Sequence, residues 1–407
     1  MTETHDHGDM LSWEEGAERV GELRDRTLNR RATERVDLAT VAGRTLAESI
    51  DAPRAVPETS HATMDGYAFD ASEGYPYELV ENEVYPEDDA GTLGRGEAVR
   101  IFTGSPLPEG ANAVLKQEEA AVSNGELDGT PISPGTYVYE RGSNVEAGER
   151  LFERGERLGA KDAILLGDLG IEEIPVLEPA SVGLLATGTE IHEGHHRDLD
   201  SPMLAGLVSG WGHDPTYEGS VPDDYETVRD RIAELAGSHD VLLTTGGTSV
   251  GKKDYVIRAL RDLGEVLFHR VALRPGKPIA AAELPEQEAT VFAIPGKPVG
   301  AHLVTSLVAR PYFTGSRSLS TESATMARDV GIAVEGFDYG IPVTVADGEA
   351  MPLGHVDSAL SVYEETFDPS VLSSSTRATR ADGFVLTREA VEAGETVQVV
   401  PYPVVER

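Results

Sequence analysis

Four short runs in this chain carry the residue types that hold phosphate and other oxyanions. They are Thr187-Gly188-Thr189-Glu190, Thr245-Gly246-Gly247-Thr248-Ser249-Val250-Gly251, Arg274-Pro275-Gly276-Lys277-Pro278 and Pro295-Gly296-Lys297-Pro298. Glycines let backbone N–H groups approach an anion, and a following helix adds its positive N-terminal end. Thr248 and Ser249 add hydroxyl donors, while Arg274 and Lys277 add fixed positive charge. One such loop is weak evidence, because many are only tight turns. Here the basic residues gather: the chain has 34 Lys+Arg against 71 Asp+Glu, yet Lys252, Lys253, Arg274, Lys277 and Lys297 all fall in or beside these runs. That concentration in a chain of net charge -37 points to an anion site.

Three acids sit just beyond predicted strand ends: Glu190, Asp223 and Asp254. Carboxylates beside a phosphate cradle hold hard divalent cations such as Mg²⁺. Helix N-capping is an equal alternative for Asp223 and Asp254. Farther upstream, Met64-Asp65-Gly66-Tyr67-Ala68 reads as a turn, and 101–111 reads as strand, turn and loop. The histidines His5, His7, His192, His195 and His196 match no zinc-ligand spacing.

These runs need a scaffold that brings them together. Ser12-Trp13-Glu14-Glu15 is a capping box opening a helix, and 38–50 reads as a second, short one. Gly and Pro punctuate short β-type runs over 51–141, which therefore reads as a β-rich insertion, with 81–89 as an exposed acidic loop. From Ser181 the pattern alternates. Strands are predicted at 182–186, 241–245, 267–271, 279–282 and 291–294. Helices open at Ser201-Pro202, Pro222-Asp223 and Asp254, and a last one covers 299–310. Near-continuous apolar strands between amphipathic helices imply a mostly parallel sheet covered on both faces. In such sheets ligands sit at the carboxyl ends of the strands, where all four runs fall. After Ser320 the chain turns β-rich again, with strands at 332–334, 341–345, 384–386 and 396–400 and an exposed loop at 372–376.

Composition excludes several classes of function. There is no cysteine, so disulfides, thiolate metal sites and cysteine nucleophiles are absent. The acids are spread along the chain, as in a solvated coat adapted to concentrated salt, and disfavour nucleic acid and anionic membranes. No apolar run approaches the ~20 residues of a spanning helix. The N-terminus is acidic and polar, so a cytoplasmic protein is expected.

Taken together, these segments resemble the molybdopterin molybdenumtransferase family, often called MoeA, which includes the C-terminal part of gephyrin. The resemblance is carried in order by 64–68, by Thr103-Gly104-Ser105-Pro106-Leu107-Pro108 and by Ala186-Thr187-Gly188-Thr189-Glu190. It continues through 245–251 with Asp254, then 274–278 and 295–299. It implies a multidomain α/β plus β fold. A linker and dimerisation region would span 11–50 with 142–178, and a β-rich inserted domain 51–141. A three-layer α/β domain would span 179–320, and a barrel-like β domain 321–407. It implies a homodimer that inserts molybdate into adenylated molybdopterin, releasing AMP with help from Mg²⁺. Asp65, Glu190, Asp223 and Asp254 match the family's functional acids, the last three as metal ligands. Thr103, Thr187, Gly188, Gly246, Gly247, Thr248, Ser249, Gly251, Arg274, Pro275, Gly276, Lys277, Pro295, Gly296 and Lys297 match its substrate-binding positions. This chain departs from the family's pattern at Arg150, Pro202 and Lys297. Those departures keep a non-catalytic cofactor carrier and a tungstate-handling paralogue as alternatives. Hydrolysis of another nucleotide diphosphate is a third, more distant reading.

Overall fold

The computed structural model describes residues 10–248 and 254–407. Their backbone separates into two units. One comprises residues 10–34, 43–45 and the described part of 176–407, and the other residues 35–42 and 46–175.

The larger unit is built on a six-stranded sheet. Its order is Asp214–Val221, Ser181–Thr187, Val241–Thr245, Ala289–Ile294, Ala280–Leu284 and Glu265–His269. The first four strands are mutually parallel, and Ala280–Leu284 runs against both of its neighbours. Both faces are buried, which is why these strands read as unbroken apolar runs. Leu204, Leu207 and Val208 of the Asp200–Gly210 helix and Trp211 just after it cover one face with Val20 of the Trp13–Thr27 helix. Val228, Ile232 and Leu235 cover the other with Val256, Ile257 and Leu260. The capping box predicted at Ser12 is present. Ser12 Oγ accepts the Glu15 N–H at 3.1 Å, and Glu15 accepts the Ser12 N–H at 2.8 Å.

The chain then closes a five-stranded barrel. Asp338–Ala346 pairs with Glu349–Pro352, and Glu349–Pro352 with Glu322–Met326. Glu322–Met326 pairs with Thr396–Pro401, Thr396–Pro401 with Gly383–Thr387, and Gly383–Thr387 back with Asp338–Ala346. Closure leaves the barrel without a free sheet edge, except where Leu273–Arg274 adds in parallel beside Asp338 and Tyr339. That pairing couples a glycine loop of the α/β sheet to the barrel.

The smaller unit holds a second six-stranded sheet, in the order Ala113–Lys116, Gly66–Phe69, Glu97–Ile101, Tyr77–Val84, Glu126–Gly129 and Ala120–Ser123. Strand alternation sends Ala68, Val99 and Ile101 into one core and Tyr67, Phe69 and Ala98 into another. No helix among the described residues is long and apolar enough to cross a membrane.

Four local expectations fail. Residues 38–50 form no helix: a 3₁₀ turn at Leu38–Thr40 ends near Gly43, whose φ of 82° breaks any helical continuation. Residues 332–334 are not a strand, because the Tyr339 hydroxyl occupies both backbone groups of Val334. Part of 81–89 is not a loop, since the Tyr77–Val84 strand runs into it. Nor is 372–376 simply an exposed loop: Pro369–Leu372 is a helical turn, and Leu372 and Ser373 are buried.

Candidate active site

Sheet register decides the geometry. Ala186 pairs with Thr245, and Thr245 with Ile294, so the carboxyl ends of three neighbouring parallel strands lie side by side. The chain leaves Ser181–Thr187 for one neighbouring position and returns on the other side with Val241–Thr245. The strand order therefore reverses at this point, the place where open α/β sheets bind ligands. The Gly246 amide donates to the Ile294 carbonyl at 3.1 Å, and the Thr187 hydroxyl to the Thr245 carbonyl at 2.9 Å.

Close packing of glycines draws the loops together. A methyl group at Gly296 would stand 3.2 Å from the Gly246 Cα, and one at Gly300 would stand 3.2 Å from the Gly276 amide nitrogen. The result is a cleft of about 450 Å³, within the range of small-molecule sites. Gly246, Gly247, Thr248, Arg274, Pro275, Gly276, Lys277, Pro295, Gly296 and Lys297 all line it, as do Ser370 and Ser373. Thr187 and Gly188 stand behind the Gly246–Gly247 turn rather than in the lining. Ser249 and Gly251 lie outside the described residues, as do Lys252, Lys253, His5 and His7.

Positive charge in the cleft is held in place. The Arg274 guanidinium lies 4.2 Å and the Lys277 ammonium 5.6 Å from the centre of the buried Phe337 ring. Burial, then the charges of Arg270 and Arg274, lower the Lys277 pKa. Lys297 reaches the Ser370 carbonyl at 3.2 Å.

Two of the acids are tied to the first loop. The Glu190 carboxylate folds over Gly188, 3.2 Å from where a methyl group there would stand. The Asp223 amide donates to the Thr189 hydroxyl at 3.0 Å. Helix capping does not account for Asp223, because Asp224 is the cap, accepting the Thr227 N–H at 3.0 Å. Asp254 precedes the Tyr255–Leu263 helix and is half-buried. Burial raises its pKa against a hydrogen bond from the Ile257 backbone, and its Oδ1 has no hydrogen-bond partner among the described residues. Among the described residues no three acids or histidines cluster closely enough to cage a metal by themselves. An orphaned buried carboxylate oxygen nonetheless fits a cation that takes its other ligands from water and phosphate, as Mg²⁺ does.

In the smaller unit, Asp65 is set by Thr103. Asp65 Oδ1 accepts the Thr103 hydroxyl at 2.7 Å and the Thr103 N–H at 2.8 Å. These bonds lower the Asp65 pKa, so an exposed carboxylate is held ionised and aimed. Arg150 forms surface ion pairs with Asp51 and with Glu153, the latter at 3.2 Å.

The sequence reading missed two parts of this site. Ser370 and Ser373 come from the C-terminal part of the chain, and a serine run alone carries no signal. Arg270 has a left-handed φ of 82°, unusual for a non-glycine residue, and its charge acts on Asp254, His269 and Lys277. His269 beside it is held neutral, its pKa pushed down to about 4 by burial and then by Arg270 and Arg261.

Comparison with known proteins identifies the family. Residues 11–170 match the model described as MoeA N-terminal region (domain I and II), and residues 183–315 match the probable molybdopterin binding domain. The molybdopterin molybdenumtransferase of Synechococcus elongatus is 32% identical over 308 residues, covering 70% of this chain and 76% of its own. That of Bacillus subtilis is 29% identical, covering 90% of this chain and 89% of its own. A crystal structure of a molybdopterin biosynthesis MoeA protein from Pyrococcus horikoshii superposes with a TM-score of 0.67 at 27% identity, over 97% of this chain and 99% of that one. Matching motifs, matching regions in the same order and a shared fold over nearly the whole length leave one assignment: this chain belongs to the molybdopterin molybdenumtransferase family.

Proposed function

We propose that this protein is the enzyme that inserts molybdate into adenylated molybdopterin, giving molybdenum cofactor and AMP. One observation carries the reading. In a chain of net charge -37, Arg274, Lys277 and Lys297 converge on a glycine-lined cleft at the carboxyl ends of parallel strands. Such a cleft suits two anionic reactants, a pyrophosphate and a tetrahedral oxyanion, which would repel each other in water. Holding both beside fixed charge turns a bimolecular encounter into a local one.

The residues divide the work. Backbone amides of Gly247 and Thr248 face phosphate oxygens, and Arg274 and Lys277 neutralise the oxyanion. Ser370 and Ser373 also line the cleft, their hydroxyls donating to Asp368 and to the Ser370 carbonyl and so presenting acceptor oxygens. Asp254, with Glu190 and Asp223, would hold Mg²⁺, which supplies charge neutralisation of the pyrophosphate as AMP departs. The sulfur ligands of the metal must come from the pterin dithiolene, since the chain has no cysteine. We further propose that two copies associate and that Asp65, aimed by Thr103, is supplied to the cleft of the partner copy.

The test is a turnover assay on the full chain in concentrated KCl with Mg²⁺. Adding molybdate to the adenylated pterin should release AMP, and Asp254→Asn should abolish that release. Retained pterin binding without AMP release would replace the transferase with a carrier. Two inactive variants, Asp65→Asn and Asp254→Asn, should restore activity when mixed if the site is shared between copies.

A further inference from the structure

The chain carries 71 acids, yet Arg274 and Lys277 form no ion pair with any described one. What the two cations share is one aromatic ring. The centre of Phe337 lies 4.2 Å from the Arg274 guanidinium carbon and 5.6 Å from the Lys277 ammonium nitrogen, both within reach of the ring's negative face. Phe337 itself does not line the cleft.

The fold sets that ring in advance. Leu273 pairs with Asp338 and Arg274 with Tyr339, so Phe337 falls just beyond the end of the parallel pairing. The Asp338 amide donates to the Ala272 carbonyl at 2.8 Å, and Arg388 donates to the Asp338 carboxylate at 2.9 and 3.0 Å. The Tyr339 hydroxyl closes the 334–339 turn on both backbone groups of Val334. Phe337 is 2% exposed and belongs to the barrel core. Its position is therefore fixed by the barrel and not by a ligand.

The kind of partner decides what the cations can do. A carboxylate would hold them, but it would cancel their charge and compete with an incoming anion. An aromatic face attracts a cation through its quadrupole and carries no net charge, so the cation keeps its own. A buried contact is also screened little by salt. We infer that Phe337 is a positioning residue of the cleft: its ring face stands in for a counter-ion and keeps Arg274 and Lys277 together and uncancelled until an oxyanion enters. Repulsion from Arg270 and Arg274 acts on Lys277 in the opposite sense. The inference rests on the oxyanion reading of the cleft given above and adds to it a residue that touches no reactant.

Ring fluorination tests this, because it drains the π face at nearly constant shape. Phe337 is replaced in the full chain by its 4-fluoro, 3,5-difluoro and 3,4,5-trifluoro analogues. The probes are inorganic pyrophosphate and molybdate, titrated by calorimetry in concentrated KCl. Affinity for both should fall stepwise with fluorine number, by about fivefold or more for the trifluoro ring, the size expected for one cation–π contact. Phe337→Leu keeps an apolar side chain without a π face and should lose at least as much. In protein carrying ε-¹³C-lysine, the Lys277 resonance should titrate at progressively lower pH along the series, because the ring favours the charged form. Affinity and Lys277 titration that ignore fluorine number overturn the inference. So does an affinity loss that follows melting temperature and not fluorine number, which would make the ring a packing element only. A graded Lys277 shift in a chain that never releases AMP keeps the tether and removes the transferase reading. AMP release by wild type with a flat fluorine series does the reverse.

Discussion

Gly246 faces Thr187 so closely that a methyl group on its Cα would stand 2.5 Å from the Thr187 carbonyl oxygen. Gly246 also has a φ of 80°, a conformation that L side chains rarely adopt. Both constraints arise because the two loops leave adjacent parallel strands in register. Gly246→Ala therefore cannot be accommodated by a rotamer change. It should lower stability by about 1–3 kcal/mol and pull the turn out of the cleft. AMP release should fall at least tenfold while far-UV circular dichroism stays native. Wild-type turnover in this variant would show that the turn does not hold substrate.

Thr103 tunes Asp65 through two hydrogen bonds, so the pair can be separated from the rest of the site. Thr103→Val deletes the hydroxyl donor and keeps the amide. The Asp65 carboxyl should then titrate at higher pH than in the wild type, moving back toward an ordinary aspartate. The sign follows from which form the bonds favour: they stabilise the anion, so their loss favours the proton. Carboxyl ¹³C NMR titration reads the shift directly. If turnover requires ionised Asp65, the acid limb of the pH profile moves up with it. An unmoved resonance would mean that the Thr103 hydroxyl contributes nothing to the anion.

Asp200 gives a pH dependence of the opposite sense. Burial, then the charge of Asp198, raise its pKa from 3.8 to about 7. The folded state therefore binds more protons than the unfolded chain between those values. Stability must fall as pH rises through that window, with the full cost present above pH 7. Asp200→Asn imitates the protonated acid and abolishes the cost. Its melting temperature should match the wild type near pH 4 and exceed it increasingly up to pH 8. Parallel melting curves for the two proteins across that range would contradict the assignment.

Much of this site was legible in the residues because its loops sit where apolar strands end. Gly246, Gly276, Gly296 and Lys277 follow runs whose hydrophobicity already marks them as buried strands. The cleft could be anticipated because parallel neighbours place their carboxyl ends together. The barrel's contribution was not legible. Ser370 and Ser373 carry no chemical signal alone, and Leu273–Arg274 joins Asp338–Ala346 through backbone pairing that no side-chain pattern encodes. Asp223 was ambiguous for a local reason, since two adjacent aspartates precede one helix. The structure assigns the cap to Asp224, whose side chain reaches Thr227. Residues 38–50 misled because Leu38, Val41, Leu46 and Ile50 fall at near-helical spacing, while Gly43 breaks the backbone between them.

Arg270 shows why part of a site can conflict with the preferences of its own backbone. Its left-handed φ costs about 1 kcal/mol or more for an arginine and nothing for a glycine. The position sits where the Glu265–His269 strand ends and the chain turns toward Leu273–Arg274, with the Arg270 N–H donating to Ile279 at 2.7 Å. A glycine would serve that turn better, yet the residue is a cation whose field reaches Asp254 and Lys277. Arg270→Gly should therefore separate folding from function. Its melting temperature should equal or exceed that of the wild type, because the strain is relieved and a clustered positive charge is removed. Affinity for AMP and molybdate should fall together, since the cleft loses part of its field. A variant that is both less stable and undiminished in anion binding would show that Arg270 serves the turn and not the ligand.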